Sequence, residues 1–136
     1  MIAIIDECGL KKKLYFKQFI VFLYKKFNIP KKKEINILFC STDKIKELNK
    51  QYRKKNSATD VLSFYGYDDN ILGDIAICCE MATKESKKLS IDKEEYVLFL
   101  MVHGFLHLLG YTHESVQDYE NMVNLQKQVL KEWSSV

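Results

Sequence analysis

Apolar and polar positions alternate along the chain with two periods, which predict helices and strands. Apolar side chains at helical spacing predict a helix over residues 12–27, which Pro30 stops. Ile35, Ile37 and Phe39, at alternate positions, predict a strand over residues 34–40. The whole pattern predicts strands at 1–5, 34–40, 61–67 and 72–79, and helices at 12–27, 43–52, 80–89, 91–109 (capped by Ser90) and 115–133. This mixed order predicts an α+β fold with about five helices.

Length and composition favour one soluble domain spanning residues 1–136. The chain has 136 residues, of which 47% are apolar and one is proline, enough to bury a single core. Its apolar runs are far shorter than the ~20 residues that a bilayer requires, so we expect no membrane association. Acidic Asp6 and Glu7 replace the basic start of a secretory signal, which predicts a cytoplasmic protein.

The four cysteines do not form a metal or redox motif, because no pair shows the C-x-x-C spacing. In a reducing compartment we expect all four to be thiols that pack as small buried hydrophobes, with a metal ligand among them as the alternative. They are Cys8, Cys40, Cys78 and Cys79.

The two halves of the chain carry opposite charge. Residues 1–60 have an excess of nine positive charges and residues 61–136 an excess of six negative ones, which together give the net +3. Basic clusters such as 11–13, 31–33 and 53–55 suit a polyanion such as RNA. The alternative for any one cluster is a solvated, lysine-rich surface.

The three histidines of the chain lie within eleven residues. His103 and His107 are four residues apart, so both face one side of the predicted helix. Gly110 can end that helix in a left-handed conformation and turn His113 back toward the same point. Neutral imidazoles suit zinc, with nickel, copper or manganese as alternatives. Three protein ligands leave one position open, which predicts a catalytic rather than a structural zinc site.

The same histidine spacing occurs in metzincin peptidases, so a zinc metallopeptidase is an alternative function. Those enzymes carry a glutamate after the first histidine to activate water, whereas this chain has Gly104. Because peptide cleavage needs proton delivery to a poor leaving group, a phosphodiester is the better substrate for this site.

The sequence resembles the YbeY-type endoribonucleases, or rRNA maturation factors, over most of its length. The motifs that carry the resemblance are the histidine stretch 103–113, Leu48-Asn49 with Tyr52-Arg53, the stretch 59–64 and the stretch 72–75. The resemblance implies a small mixed, mostly parallel β-sheet, a metal held by His103, His107 and His113, and a catalytic arginine matched by Arg53. It also implies cleavage of single-stranded ribosomal RNA in rRNA maturation, including the small-subunit 3′ end, and in ribosome quality control. The ribosome or its proteins are the implied partners.

Two departures from the family pattern bear on the predicted site. Ala58 stands where the family usually has proline, which should only loosen a turn. Thr112 stands where the family usually has aspartate, so we expect lower metal affinity or activity. A non-catalytic, ribosome-associated metal-binding protein is therefore a further alternative.

Several other residues near these motifs each have two alternative roles. Arg53 either stabilises charge on a phosphate or forms an ion pair with an acid such as Asp60. Asp74 either orients a metal-binding histidine or satisfies backbone groups at a strand end. Lys54 and Lys55 suit flanking phosphates. Three tyrosines, Tyr52, Tyr65 and Tyr67, either stack on unpaired bases or pack in the core.

Overall fold

A computed structural model describes residues 1–135 and contains five helices and four strands in that range. The elements in chain order are β1 (Ile2–Asp6), α1 (Lys13–Lys26), β2 (Glu34–Cys40), α2 (Thr42–Arg53), β3 (Val61–Tyr65), β4 (Ile71–Cys78), α3 (Cys79–Lys88), α4 (Lys93–Leu108) and α5 (Val116–Ser134). The predicted domain end at residue 136 lies outside the described residues.

The four strands form one sheet in the order β1-β2-β4-β3. β1 pairs with β2 and β2 with β4 in parallel, whereas β3 pairs with β4 antiparallel as the predicted hairpin. The sheet is therefore mixed and mostly parallel, and the predicted α+β class is confirmed.

The two faces of the sheet bury different cores. Ile35, Ile37, Ile75 and Ile77 project from β2 and β4 into a large core with α1, α4 and α5. The alternate positions of the same strands project to the opposite face, where they pack with α2. That second core has Cys40, Ile45, Leu62, Ala76 and Cys78 as its buried members.

The start of α4 differs from the prediction. Its N-cap is Asp92, whose carboxylate accepts from the backbone N–H groups of Glu94 and Glu95 at 3.1 and 3.3 Å. Ser90 instead has a positive φ of 55° and lies in the turn after α3. β3 is also shorter than predicted, since it ends at Tyr65 and leaves Tyr67 outside the strand.

The prediction that all four cysteines are thiols is wrong for one pair. Cys8 and Cys79 form a disulfide across 71 residues of chain, which joins the segment after β1 to the first turn of α3. Cys40 and Cys78 are free and buried, as predicted for small hydrophobes on strands. Such a long-range pairing carries no local signal, because it depends on how β1 and α3 meet.

Within residues 1–135, no helix has both the length and the apolar character needed to cross a bilayer. The most apolar helix, α4, has 16 residues and packs inside the protein.

Candidate metal centre

The helix α4 carries two of the three histidines and is held closely against the sheet. Most of its residues from Tyr96 onward are buried, while His103 and His107 are partly accessible. Gly104, between them, faces β4: a Cβ atom there would lie 2.8 Å from Cγ2 of Ile75. A glutamate at position 104 would have no room, so this position cannot supply the peptidase base and instead sets how closely α4 approaches the sheet.

The turn after α4 brings the third histidine back to the other two. Gly110 has a φ of +98°, which glycine adopts without the strain that a side chain would add. Its N–H donates to the carbonyl of His107 at 3.0 Å, and the N–H of Tyr111 donates to that of Leu106 at 3.0 Å. The predicted helix end at this glycine is thus observed.

The three imidazoles converge within the described part of the chain. One ligand nitrogen from each of His103, His107 and His113 lies within 4.8 Å of the others. The Nε2 atoms of His103 and His107 are 3.1 Å apart. Ring nitrogens with lone pairs at this separation suit a single divalent cation, and a set of only imidazole donors is typical of transition metals rather than Mg²⁺ or Ca²⁺.

Hydrogen bonds orient the rings of His107 and His103. Nδ1 of His107 lies 2.9 Å from the carbonyl of Tyr111, which can only accept, so Nδ1 carries the proton and Nε2 keeps its lone pair. Nδ1 of His103 lies 3.0 Å from Nε2 of the Gln126 side-chain amide on α5. Gln126 was not among the sequence-predicted site residues. The sequence does carry a signal for it, because Gln126 is a polar residue within the apolar stripe of α5 that contains Met122 and Val129.

The environment keeps two of the imidazoles neutral. Burial, followed by the neighbouring His107 and His113, lowers the pKa of His103 to about 4. Burial and His113 also lower the pKa of His107, and Arg53 lowers it further. These lone pairs are therefore available to a cation at neutral pH without loss of a proton.

A cleft of about 270 Å³ opens beside the histidines, and Arg53 lies on its wall. It is lined by Arg53, Ser63, Tyr65, His107, Leu108, Thr112, His113 and Glu114. The Arg53 guanidinium donates to the carbonyl of Ser63, and its Cζ lies 5.6 Å from the centre of the Phe64 ring. These contacts hold the Arg53 guanidinium beside the edge strand β3, where it faces His107 across the cleft.

The alternative ion pair of Arg53 with Asp60 is not observed. Asp60 instead accepts a hydrogen bond from the Tyr96 hydroxyl at 2.7 Å. Among residues 1–135, Arg53 forms no salt bridge with a carboxylate. Its charge is thus free to meet an anion.

The structure does not bring Asp74 to the histidines. Asp74 alternates with Ile75, which packs under Gly104, so it projects from the opposite face of the sheet. There its Oδ1 accepts from Nδ2 of Asn36 at 2.9 Å. Tyr111 and Gln126, rather than Asp74, contact the imidazole rings of His107 and His103.

The two departures from the family pattern have local partners in this chain. The Thr112 hydroxyl donates to Oδ2 of Asp118, in the first turn of α5, at 3.2 Å. The loop that contains Ala58 is held by Asn49, whose side-chain Nδ2 donates to the carbonyl of Ser57 at 2.9 Å. A carboxylate therefore lies beside position 112, and a hydrogen bond holds the loop at Ser57, the residue before Ala58.

The predicted RNA-contacting residues differ in position. Tyr65 is 67% exposed and lines the histidine cleft, whereas Tyr67 is 91% exposed and does not line it. Tyr52 is exposed and packs one side against Phe64 at 5.2 Å between ring centres. Lys54 and Lys55 are exposed, and Lys55 lines a second cleft that shares Arg53 with the first.

Comparison with known proteins decides the family. The profile of the family described as "Endoribonuclease YbeY" matches residues 7–134. The chain belongs to the YbeY family. The resemblance inferred from the histidine stretch is thereby confirmed.

Similar proteins span most of the chain. The proteins named "Endoribonuclease YbeY" from Phytoplasma australiense and Staphylococcus saprophyticus are 39% and 36% identical over 123 and 138 residues. These matches cover 85% and 92% of this chain, and 84% and 90% of the two relatives. A solution structure from Thermotoga maritima shares the fold with a TM-score of 0.67 and 30% identity, and covers 99% of this chain and 93% of that one.

Proposed function

We propose that this protein is a metal-dependent endoribonuclease that cleaves single-stranded ribosomal RNA during rRNA maturation, including the small-subunit 3′ end, and in ribosome quality control. Its relatives are named as endoribonucleases. The observation that carries the proposal is one cleft that presents an unpaired arginine, Arg53, opposite the converging His107 and His113.

His103, His107 and His113 are the residues that would hold the metal, and zinc is the ion we propose. Three imidazole ligands fit zinc and leave it an open position. When bound, zinc supplies Lewis acidity toward a phosphoryl oxygen.

Arg53 is the proposed catalytic residue of the chain. Its guanidinium lies where a phosphate in the cleft would meet it, and the contacts with Ser63 and Phe64 fix its direction before substrate arrives. A preoriented, always charged donor stabilises negative charge that develops on the phosphate.

The walls of the cleft favour an unpaired strand. Exposed Tyr65 offers a ring on which a splayed base can stack, and a base inside a duplex cannot reach it. Lys54 and Lys55, next to Arg53, provide charge for flanking phosphates. We propose that this basic surface also meets the ribosome or ribosomal proteins, and that the protein acts in the cytoplasm.

The geometry does not favour the alternatives. Gly104 faces Ile75 and leaves no room for a peptidase glutamate. Among the described residues, Arg53 has no carboxylate partner and lines the same cleft as His107 and His113, which suits phosphodiester cleavage better than metal binding alone.

The direct test is incubation of the purified protein with single-stranded RNA, duplex RNA and casein. We expect zinc-dependent cleavage of single-stranded RNA alone, its loss with a chelator, and its return when zinc is restored. His107→Ala, purified in parallel, is the control for a contaminating nuclease. Cleavage that persists in this variant would refute the proposal, and cleavage of casein would favour the peptidase.

A further inference from the structure

The helix α5 buries one polar side chain against the metal centre. Gln126 is 1% exposed and occupies the same stripe of α5 as Met122 and Val129, which pack in the main core. Burying an amide among apolar side chains is costly unless its polar atoms are hydrogen-bonded. The atom that the structure places beside Nδ1 of His103, at 3.0 Å, is the amide nitrogen Nε2 of Gln126.

The position of this contact determines which ring nitrogen of His103 faces the other two histidines. Nδ1 of His103 meets Gln126, while Nε2 on the opposite side of the ring points to Nε2 of His107 at 3.1 Å. Nε2 is therefore the atom that faces the other ligands. A histidine that binds a metal through Nε2 carries its proton on Nδ1, and that proton needs an acceptor.

A side-chain amide offers both an acceptor oxygen and a donor nitrogen at one end, and a half-turn about its last torsion exchanges them. The structure has the nitrogen toward His103. After the half-turn that brings the oxygen there, the amide accepts from Nδ1–H and leaves the Nε2 lone pair of His103 free. His107 obtains the same tautomer from the carbonyl of Tyr111, which accepts from its Nδ1 at 2.9 Å. With Gln126 turned in this way, two of the three rings have an acceptor behind them.

We propose that Gln126 is a positioning residue of the metal centre: when the metal binds, its amide turns so that the side-chain oxygen accepts from Nδ1–H of His103 and holds that ring with Nε2 toward the metal. This inference rests on the metal site of the proposed function. It links α5 to the site through a contact that is independent of the RNA cleft, because Gln126 does not line the cleft that contains Arg53.

The test compares three variants by zinc affinity, measured in competition with a chromophoric chelator. Gln126→Met keeps the side-chain length and removes the acceptor, so we expect zinc to bind about 10- to 100-fold more weakly. Gln126→Glu keeps an acceptor without a donor, and we expect affinity equal to or above that of the wild type. Gln128→Met, an exposed glutamine on the same helix, is the matched control and should leave affinity unchanged.

Two further measurements separate positioning from a merely structural role. Thermal unfolding in the presence of chelator reports the fold without zinc, and a structural role would lower this stability in Gln126→Met and leave zinc affinity unchanged. Nitrogen NMR of the zinc-loaded protein should show the proton of His103 on Nδ1. Unchanged zinc affinity in Gln126→Met would overturn the proposal, as would a proton on Nε2 of His103.

The role of Gln126 can still be tested if Gln126→Met does not fold. Gln126→Glu then carries the test alone, and zinc affinity at least tenfold below that of the wild type would contradict the proposal. Failure of the proposed function would be a separate result. If the protein binds zinc but cleaves no RNA, the dependence of zinc affinity on Gln126 can still be measured.

Discussion

One face of the sheet, under α1 and α4, buries a large aromatic and aliphatic core, whereas the described residues of the other face bury a small core under α2. The histidines come from the first side, on a helix fixed by close packing. Arg53 comes from the end of α2, on the second side, and reaches the cleft past the edge strand β3. The rigid side thus holds the ligands that need fixed geometry, and the exposed side supplies charge that must meet a mobile phosphate.

This comparison predicts that substitutions on the two sides of the sheet have different effects on RNA cleavage and on zinc binding. Arg53→Ala should lower RNA cleavage about 100- to 1,000-fold, because a preoriented donor to the developing charge is lost. Zinc content should stay unchanged, since the histidines and their hydrogen-bond partners do not involve Arg53. Cleavage rates and metal analysis of the same preparation check both statements.

Two controls sharpen this result. Lys50→Ala removes an exposed charge from the last turn of the same helix and should change cleavage only slightly. Arg53→Lys keeps the charge without the planar fork, so we expect partial activity. Loss of zinc in Arg53→Ala would show that the two sides are not separable in this way.

The second effect concerns the wall of the cleft. Tyr65→Ala should weaken binding of a single-stranded oligonucleotide about 5- to 100-fold, the range expected for losing one stacked base. Tyr65→Phe should bind nearly as the wild type. Tyr67→Ala is the control, because Tyr67 is more exposed but does not line the cleft. Equal losses in the two alanine variants, by fluorescence anisotropy, would argue against a stacking site at Tyr65.

The third effect tests the rigidity of the histidine side. Gly104→Ala places a Cβ 2.8 Å from Ile75 Cγ2 and should lower the free energy of unfolding by roughly 1–2 kcal/mol, although alanine is the better helix former. Thermal unfolding measures this loss. Combining it with Ile75→Ala, which makes room, should cost less than the sum of the two single changes. Additive losses would mean that α4 does not press on the sheet at this point.

The smallest effect concerns the exposed side. Lys54 ends α2 with a φ of 57°, a conformation that glycine adopts more readily than lysine. Relief of the left-handed strain, about 1–2 kcal/mol, exceeds the effect of the added freedom that glycine gives the unfolded chain, about 0.4–1 kcal/mol. Lys54→Gly should therefore raise the free energy of unfolding by about 0.5–1 kcal/mol. Lys55→Gly, one residue further on, is the matched control and should not stabilise. Chemical denaturation of both variants distinguishes them.

The parts of the fold with strong local signals were predictable. The apolar spacing and Pro30 delimit α1, the alternation in 34–40 delimits β2, and Gly110 marks the turn after α4. The convergence of the histidines followed from a four-residue spacing and this turn. The start of α4 was mistaken because Ser90 and Asp92 are both good caps, and only the structure distinguishes them.

The contacts between distant elements were not predictable. Ile75, Ala76 and Ile77 are buried on both faces of β4, so alternation does not reveal which face Asp74 shares with the histidines. The contact between Gln126 and His103 depends on the register of α5 against α4, and the pairing of Cys8 with Cys79 depends on where β1 meets α3. Each is set by tertiary packing rather than by local pattern.

The most direct measurement of the metal centre is X-ray diffraction from a crystal grown with zinc, with data collected on both sides of the zinc absorption edge. The account predicts one anomalous peak per chain, within coordination distance of His103, His107 and His113 and facing Arg53 across the cleft. Rings that point apart, with no anomalous density between them, would contradict it.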